Sequence, residues 1–352
     1  MHIGYVKNRS ILVMPLNQLL EKRNKIEYTD GYHIMRFYSA FVAISKGKVV
    51  DINGPFLEFC PLVKELYGDI DCPANIKDIV KEFVEKKISE FGFFTPKRKL
   101  NYQEIAVPFG ASEMLMYALR KKIIDAAAIV CDGAGSVIAT RPEIVQGIGA
   151  RMNGLFFTSP ISEITEKLTK ANCHVVFPDA RIDQAKATKE ACKMGYRNIA
   201  VTINGYMEEE CLFKIKGLEQ QYNANIISLI ICTTGVSEKR INEIVEYGDI
   251  VWSCASEGIR KSVGKKAILQ ISEKIPIFVL TQKGLNFISA YSNRPEIIQR
   301  LKSGKQYLLS RSINGEKIKM GDFETHLSIV NLPVRSKREP RFAGGNKHED
   351  DH

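Results

Sequence analysis

Cysteines stand at positions 60, 72, 131, 173, 192, 211, 232 and 254, and they are the side chains here with the widest chemical range. No two have the Cys-x-x-Cys spacing of a zinc ribbon, a ferredoxin or a thioredoxin-like motif. Three of them directly end apolar runs of strand length: Cys131 after 126–130, Cys232 after 226–231 and Cys254 after 250–253. Thiolates from separate loops can still ligate iron, because only the fold must bring them together. A single cysteine is equally at home in a core, where it packs like a small hydrophobe.

The polar segments after the same runs supply the other candidates. Asp132, Gly133 and Gly135 form a glycine-rich turn that resembles a phosphate cradle. It lacks the lysine of a P-loop and the third glycine of a dinucleotide fingerprint. Ser112 follows Gly110 at a helix start and reads as an N-cap or an anion contact. Asp179, Arg181 and Asp183 cluster after another run, where Arg181 could grip a carboxylate or phosphate in bidentate fashion. Thr234, in Thr233-Thr234-Gly235, has the same double reading as Ser112. His33 and His174 fall in extended runs and read as core histidines. There is no His-Glu-x-x-His motif and no Ser–His–Asp order, so nothing supports a hydrolase.

These segments share a site only if the runs are parallel strands, because open α/β sheets bind ligands outside the carboxyl ends of their strands. From about residue 102, apolar runs alternate with helical patterns, as in a parallel sheet covered on both faces. The pattern predicts an α/β fold: a mostly parallel, doubly wound, Rossmann-like domain over residues 101–335. Residues 1–100 read as an N-terminal extension, a β-hairpin around Ser45-Lys46-Gly47-Lys48 and an amphipathic helix over 73–90. A second hairpin is expected around Asn314-Gly315. The polar, aperiodic residues 336–352 read as a disordered tail.

The chain has 352 residues, 50 of them basic and 40 acidic, for a formal charge of +10. The basic residues are dispersed. The densest runs, 97–99 and 120–122, are not interleaved with stacking aromatics, so no nucleic-acid partner is expected. No apolar stretch approaches the roughly 18 residues of a membrane span, and the N-terminal stretch reads as ordinary structure rather than a signal peptide. Reduced thiols in a cytoplasmic protein are the expectation.

The segments PFGASEMLMYALRKKIIDAAAIVCDGAGSVI, RPEIVQGIGARMNGL, ARIDQA, GYRNIAVTI, TTGVSE and DIVWSCASEGIRK occur in that order between residues 33 and 284. Together they resemble the methanogenesis marker protein 8 family. The resemblance implies an archaeal, cytosolic protein tied to methanogenesis, with methyl-coenzyme M reductase or its activation machinery as the partner. It also implies that Cys60, Cys131 and Cys254 match the family's cysteines, whereas Cys232 departs from its pattern. The reading that follows is an accessory or maturation factor holding an iron–sulfur or related metal centre on Cys60, Cys131 and Cys254. The alternatives are an enzyme binding a phosphorylated or carboxylated small molecule at the sheet edge, and a protein-interaction scaffold.

Overall fold

The computed structural model describes residues 18–19, 31–57, 76–152, 154–207, 211–302 and 304–335. The N-terminal extension, Cys60 with its segment, and the tail from 336 lie outside these residues.

The first described strands form an antiparallel meander of β1 (Tyr32–Phe37), β2 (Ala40–Ser45) and β3 (Lys48–Asn53). The β2–β3 turn is the expected one, closed by Lys46 and Gly47 at φ 48 and 72. The β1–β2 turn uses Tyr38 and Ser39 at φ 49 and 63, with no glycine, so the sequence did not announce it. Helix α1 (Ile76–Phe91) buries Val80, Val84 and Ile88 against one face of this meander.

Helix α2 (Ala111–Arg120) leads into β4 (Ala126–Cys131) and β5 (Gly135–Ala139). Next come α3 (Pro142–Gly149), β6 (Leu155–Thr158), α4 (Ser162–Lys170), β7 (His174–Val175) and α5 (Gln184–Lys193). Regular alternation then sets in with β8 (Asn198–Asn204), α6 (Cys211–Tyr222), β9 (Asn225–Ile231), α7 (Glu238–Tyr247) and β10 (Ile250–Trp252). After β11 (Leu269–Ile271) and β12 (Ile277–Val279) come α8 (Gln282–Ser289) and α9 (Pro295–Gln299). The described chain closes with β13 (Tyr307–Ser310), β14 (Glu316–Met320) and β15 (Phe323–Ile329).

The large sheet has 11 strands in the order β14-β15-β13-β11-β12-β10-β9-β8-β4-β5-β7. It is α/β but mixed, not the mostly parallel, doubly wound sheet expected. Only β4, β8, β9 and β10 form a continuous parallel block, and they follow in chain order without the reversal of a doubly wound sheet. The reason lies in the connections. Asp132–Ala134 joins β4 to β5, and residues 272–276 join β11 to β12. Links this short can join only antiparallel neighbours, because a parallel crossover needs a dozen residues or more. The C-terminal hairpin likewise turns at Gly321-Asp322, between β14 and β15, rather than at Asn314-Gly315.

Helices cover both faces of the parallel block. Ala127, Ile129, Ala200 and Leu229 face α2, α3 and α8, while Ala126, Ala128, Val201 and Ile230 face α5, α6 and α7. Burial on both sides explains why these strands read as unbroken apolar runs.

Strand β6 does not join the large sheet; it pairs with β1, completing a four-stranded sheet β3-β2-β1-β6. This small sheet lies across the carboxyl ends of the parallel strands. Thr158 Oγ1 at the end of β6 accepts from the Gly133 amide beyond β4 at 2.7 Å. At the other side, Arg36 of β1 donates to the Thr234 carbonyl beyond β9 at 3.0 Å.

Candidate functional site

At the β4 end of this roof, the expected candidates are held by the protein itself. The fully buried Asp132 carboxylate accepts from Arg98 Nε at 2.9 Å and from the Phe94 amide at 2.7 Å. The remaining Arg98 donors reach the carbonyls of Lys99, Gly147 and Ile148. Thr158 Oγ1 lies 2.7 Å from His33 Nδ1 as well as bonding Gly133, and the His33 ring packs on Phe94. Gly133 and Gly135, both left-handed, turn a hairpin rather than open a helix. A Cβ at Gly135 would sit 2.1 Å from the Ala180 carbonyl oxygen, so close packing accounts for that glycine. Cys131 is fully buried, and its thiol donates to the Asp132 carbonyl. Burial, then the Asp132 charge, pushes it well above the ordinary cysteine range.

Ser112 is not the cap of α2. Gly110 takes that place, and Ser112 Oγ donates to Glu113 inside the helix. Asp183, instead, caps α5 by accepting from the Lys186 amide. Asp179 accepts from the Arg181 amide, and the exposed Arg181 guanidinium lies over the Phe177 ring at 4.3 Å. Both residues line a cleft of about 560 Å³ between the two sheets, together with Phe156, Thr158, Asn204 and Met207.

The other end of the roof holds a cluster that the sequence did not reveal. Arg36 is 7% exposed, and its guanidinium is caged by Phe41, Phe156 and Tyr206 at 4.7–4.8 Å from each ring centroid. Nη1 donates to Thr234, but Nε and Nη2 have no hydrogen-bond partner among the described residues. No carboxylate stands within electrostatic reach among those residues. Burial pulls the Arg36 pKa below its ordinary value, opposed by Cys232, Tyr206 and Cys254. Arginine remains charged at neutral pH even so.

The two cysteines in that set follow adjacent parallel strands. Register pairs Ile250 with Leu229 and Val251 with Ile230, so Cys232 and Cys254 follow neighbouring strands, one register step apart. Both are half-buried, and both adopt left-handed backbone, at φ 58 and 46. Such backbone is uncommon outside glycine and asparagine and concentrates at functional sites. Cys232 Sγ packs against Gly154, whose carbonyl accepts from the Arg36 amide. Burial pushes the Cys232 thiol up to about 12; Cys254 adds to this and Arg36 opposes it. Thr234 ties the loops together, its hydroxyl accepting from the Ala255 amide. Ser253, fully buried beside Cys254, has a hydroxyl with no partner among the described residues.

Cys60 lies outside the described residues, so of the expected trio only Cys131 and Cys254 can be placed. Strands β4 and β10 are three positions apart in the sheet, which puts Cys131 and Cys254 roughly 14 Å apart. Among the described residues, no group of three or more histidine, cysteine, aspartate or glutamate side chains is placed to hold a metal ion. The structure instead sets Cys254 beside Cys232, the cysteine that departed from the family pattern. The one sequence signal for Arg36 was a charge inside the apolar run Ile34-Met35-Arg36-Phe37.

A family described as "Uncharacterized protein conserved in archaea (DUF2099)" matches residues 33–292, a span that includes Arg36, Cys232 and Cys254. The chain belongs to this family. It is 34% identical over 311 residues to an uncharacterised protein of Methanocaldococcus jannaschii, covering 88% of this chain and 98% of that one. No solved structure matches it. No helix among the described residues is long and apolar enough to cross a membrane.

His33 gives the site a pH signature. Burial lowers its pKa from 6.5 to about 4, against an opposing pull from Asp132. The unfolded chain therefore takes up this proton first, and stability falls as pH drops through the window from 6.5 to about 4. The loss from this residue is about 3 kcal/mol. His33→Gln removes it. Chemical denaturation should show the gap between wild type and variant closing by that amount from pH 7 to pH 4; a constant gap contradicts the assignment.

Proposed function

We propose that this archaeal protein is a cytoplasmic accessory factor whose working site is the roofed carboxyl edge of β8, β9 and β10. There it captures the anionic group of a phosphorylated or carboxylated small molecule. One observation carries the reading: a buried guanidinium with two unpartnered donor atoms and no carboxylate in reach among the described residues. An isolated buried charge costs several kcal/mol, so a fold that retains one has a use for it. An oxyanion supplies both the missing charge and the missing acceptors, and a planar guanidinium suits bidentate recognition of carboxylate or phosphate. Phe156 belongs both to the Arg36 cage and to the inter-sheet cleft, which makes that cleft the route of approach. In this reading Arg181 and Asp179 act only at the cleft mouth.

The resemblance of the ordered motifs to the methanogenesis marker protein 8 family supports a role tied to methanogenesis, with methyl-coenzyme M reductase or its activation machinery as the partner. An iron–sulfur centre is the second reading, favoured by the adjacency of Cys232 and Cys254. Cys131 is too far from Cys254 to share it. Its check is iron and sulfide analysis after anaerobic reconstitution, and metal-free protein ends it.

Thermal-shift and calorimetric titration with phosphorylated and carboxylated metabolites tests the main reading. At least one should raise the melting temperature of the wild type. Arg36→Met should weaken that ligand at least 100-fold, about 2.7 kcal/mol. Arg181→Ala should weaken it less than tenfold, because an exposed ion pair contributes little. Equal affinity in Arg36→Met and wild type contradicts the reading.

A further inference from the structure

The charge balance around Arg36 bears on the two thiols. With Cys232 and Cys254 both protonated, the described cluster carries one buried positive charge. With both deprotonated it carries one negative charge, and burial disfavours that state for Cys232. A monovalent cation held between two thiolates makes a complex of charge minus one, which Arg36 neutralises. A divalent cation between the same thiolates makes a neutral complex and leaves Arg36 unbalanced. Zinc would also need two further ligands, and the described residues offer no group of three or more.

The backbone brings both thiols to the same end of the roof. The cysteines end neighbouring parallel strands, and each departs from the strand in left-handed backbone, at a cost of about 1 kcal/mol per residue. The loops carrying them are tied to each other through Thr234 and Ala255. They are tied to β1 through Arg36, and Arg260 Nη1 fixes the Cys254 carbonyl at 3.2 Å.

We infer that Cys232 and Cys254 are the two ligands of a soft monovalent metal ion of the copper(I) class, and that Arg36 is the counter-charge of the anionic bis-thiolate complex. This rests on the reading of Arg36 as an anion holder, with the anion now formed in place. Soft thiolates select such an ion over hard cations. Binding forms two metal–sulfur bonds and releases two thiol protons to solvent, with no change in oxidation state.

The test is anaerobic titration of the reduced full chain with copper(I) against a chromogenic competitor, with silver(I) as a second probe and native mass spectrometry as the count. One ion per chain should bind, with loss of two protons. Cys232→Ser and Cys254→Ser should each weaken binding at least 100-fold, whereas Cys192→Ala should leave it unchanged. Arg36→Met should weaken it at least tenfold, and Arg36→Lys, which keeps the charge, should recover most of that loss. Thermal melts establish that each variant is folded. Undiminished binding in the Cys232→Ser, Cys254→Ser double variant, or equal or tighter binding in Arg36→Met, overturns the inference. Absence of metal binding with oxyanion binding intact removes this inference and leaves the proposed function standing; absence of both removes both.

Discussion

A guanidinium held away from water, with no carboxylate beside it among the described residues, is the constraint on which the rest of this molecule turns. Three aromatic rings and one carbonyl receive Arg36, and they offset much of the lost hydration while leaving Nε and Nη2 without an acceptor among the described residues. The buried Arg98–Asp132 pair at the opposite end of the roof shows the contrast. There a carboxylate and three carbonyls take up the guanidinium, and nothing is left for a ligand.

The architecture makes that difference possible. Placing β6 beside β1 lays the small sheet over the edge where α/β sheets keep their sites. The β4 end of the roof is held by the knot of His33, Thr158, Gly133, Asp132 and Arg98, in which only His33 Nε2 has no partner among the described residues. The β9 and β10 end has two guanidinium nitrogens without a partner among those residues, two half-buried thiols and a cleft alongside. Compensated and uncompensated buried cations thus lie in one layer, Arg98 beside a carboxylate and Arg36 without one among the described residues.

Much of the large sheet was legible in the sequence, because strands buried on both faces are continuous apolar runs and little else looks like them. Ala126–Cys131 is β4 residue for residue, and the helix following Arg141 starts at Pro142 as proline at a first turn requires. Strand direction was not legible. Whether a run pairs parallel or antiparallel depends on connection length and partner choice, and neither is written in the run itself. The glycine-rich segment after Cys131 looked like a ligand loop because a hairpin turn and a phosphate turn call for the same residues. Leu155–Phe157 read correctly as a strand, but nothing in it said that its partner was Tyr32–Phe37, more than a hundred residues earlier. The site was hidden for the same reason: Arg36, Cys232 and Cys254 come from distant segments. The left-handed backbone that marks both cysteines has no sequence signature in a non-glycine residue.

The central claim is that Arg36 is retained for what it binds and not for what it contributes to the empty fold. The most direct measurement is the unfolding free energy of Arg36→Met beside the wild type, in buffer free of metal and of polyvalent anions. Replacing a buried ion by an apolar side chain of similar volume removes its desolvation penalty, as it does for buried ion pairs, where the exchange is often neutral or stabilising, so the variant should equal or exceed the wild type. A loss of several kcal/mol in the variant would make Arg36 a structural residue and contradict the account.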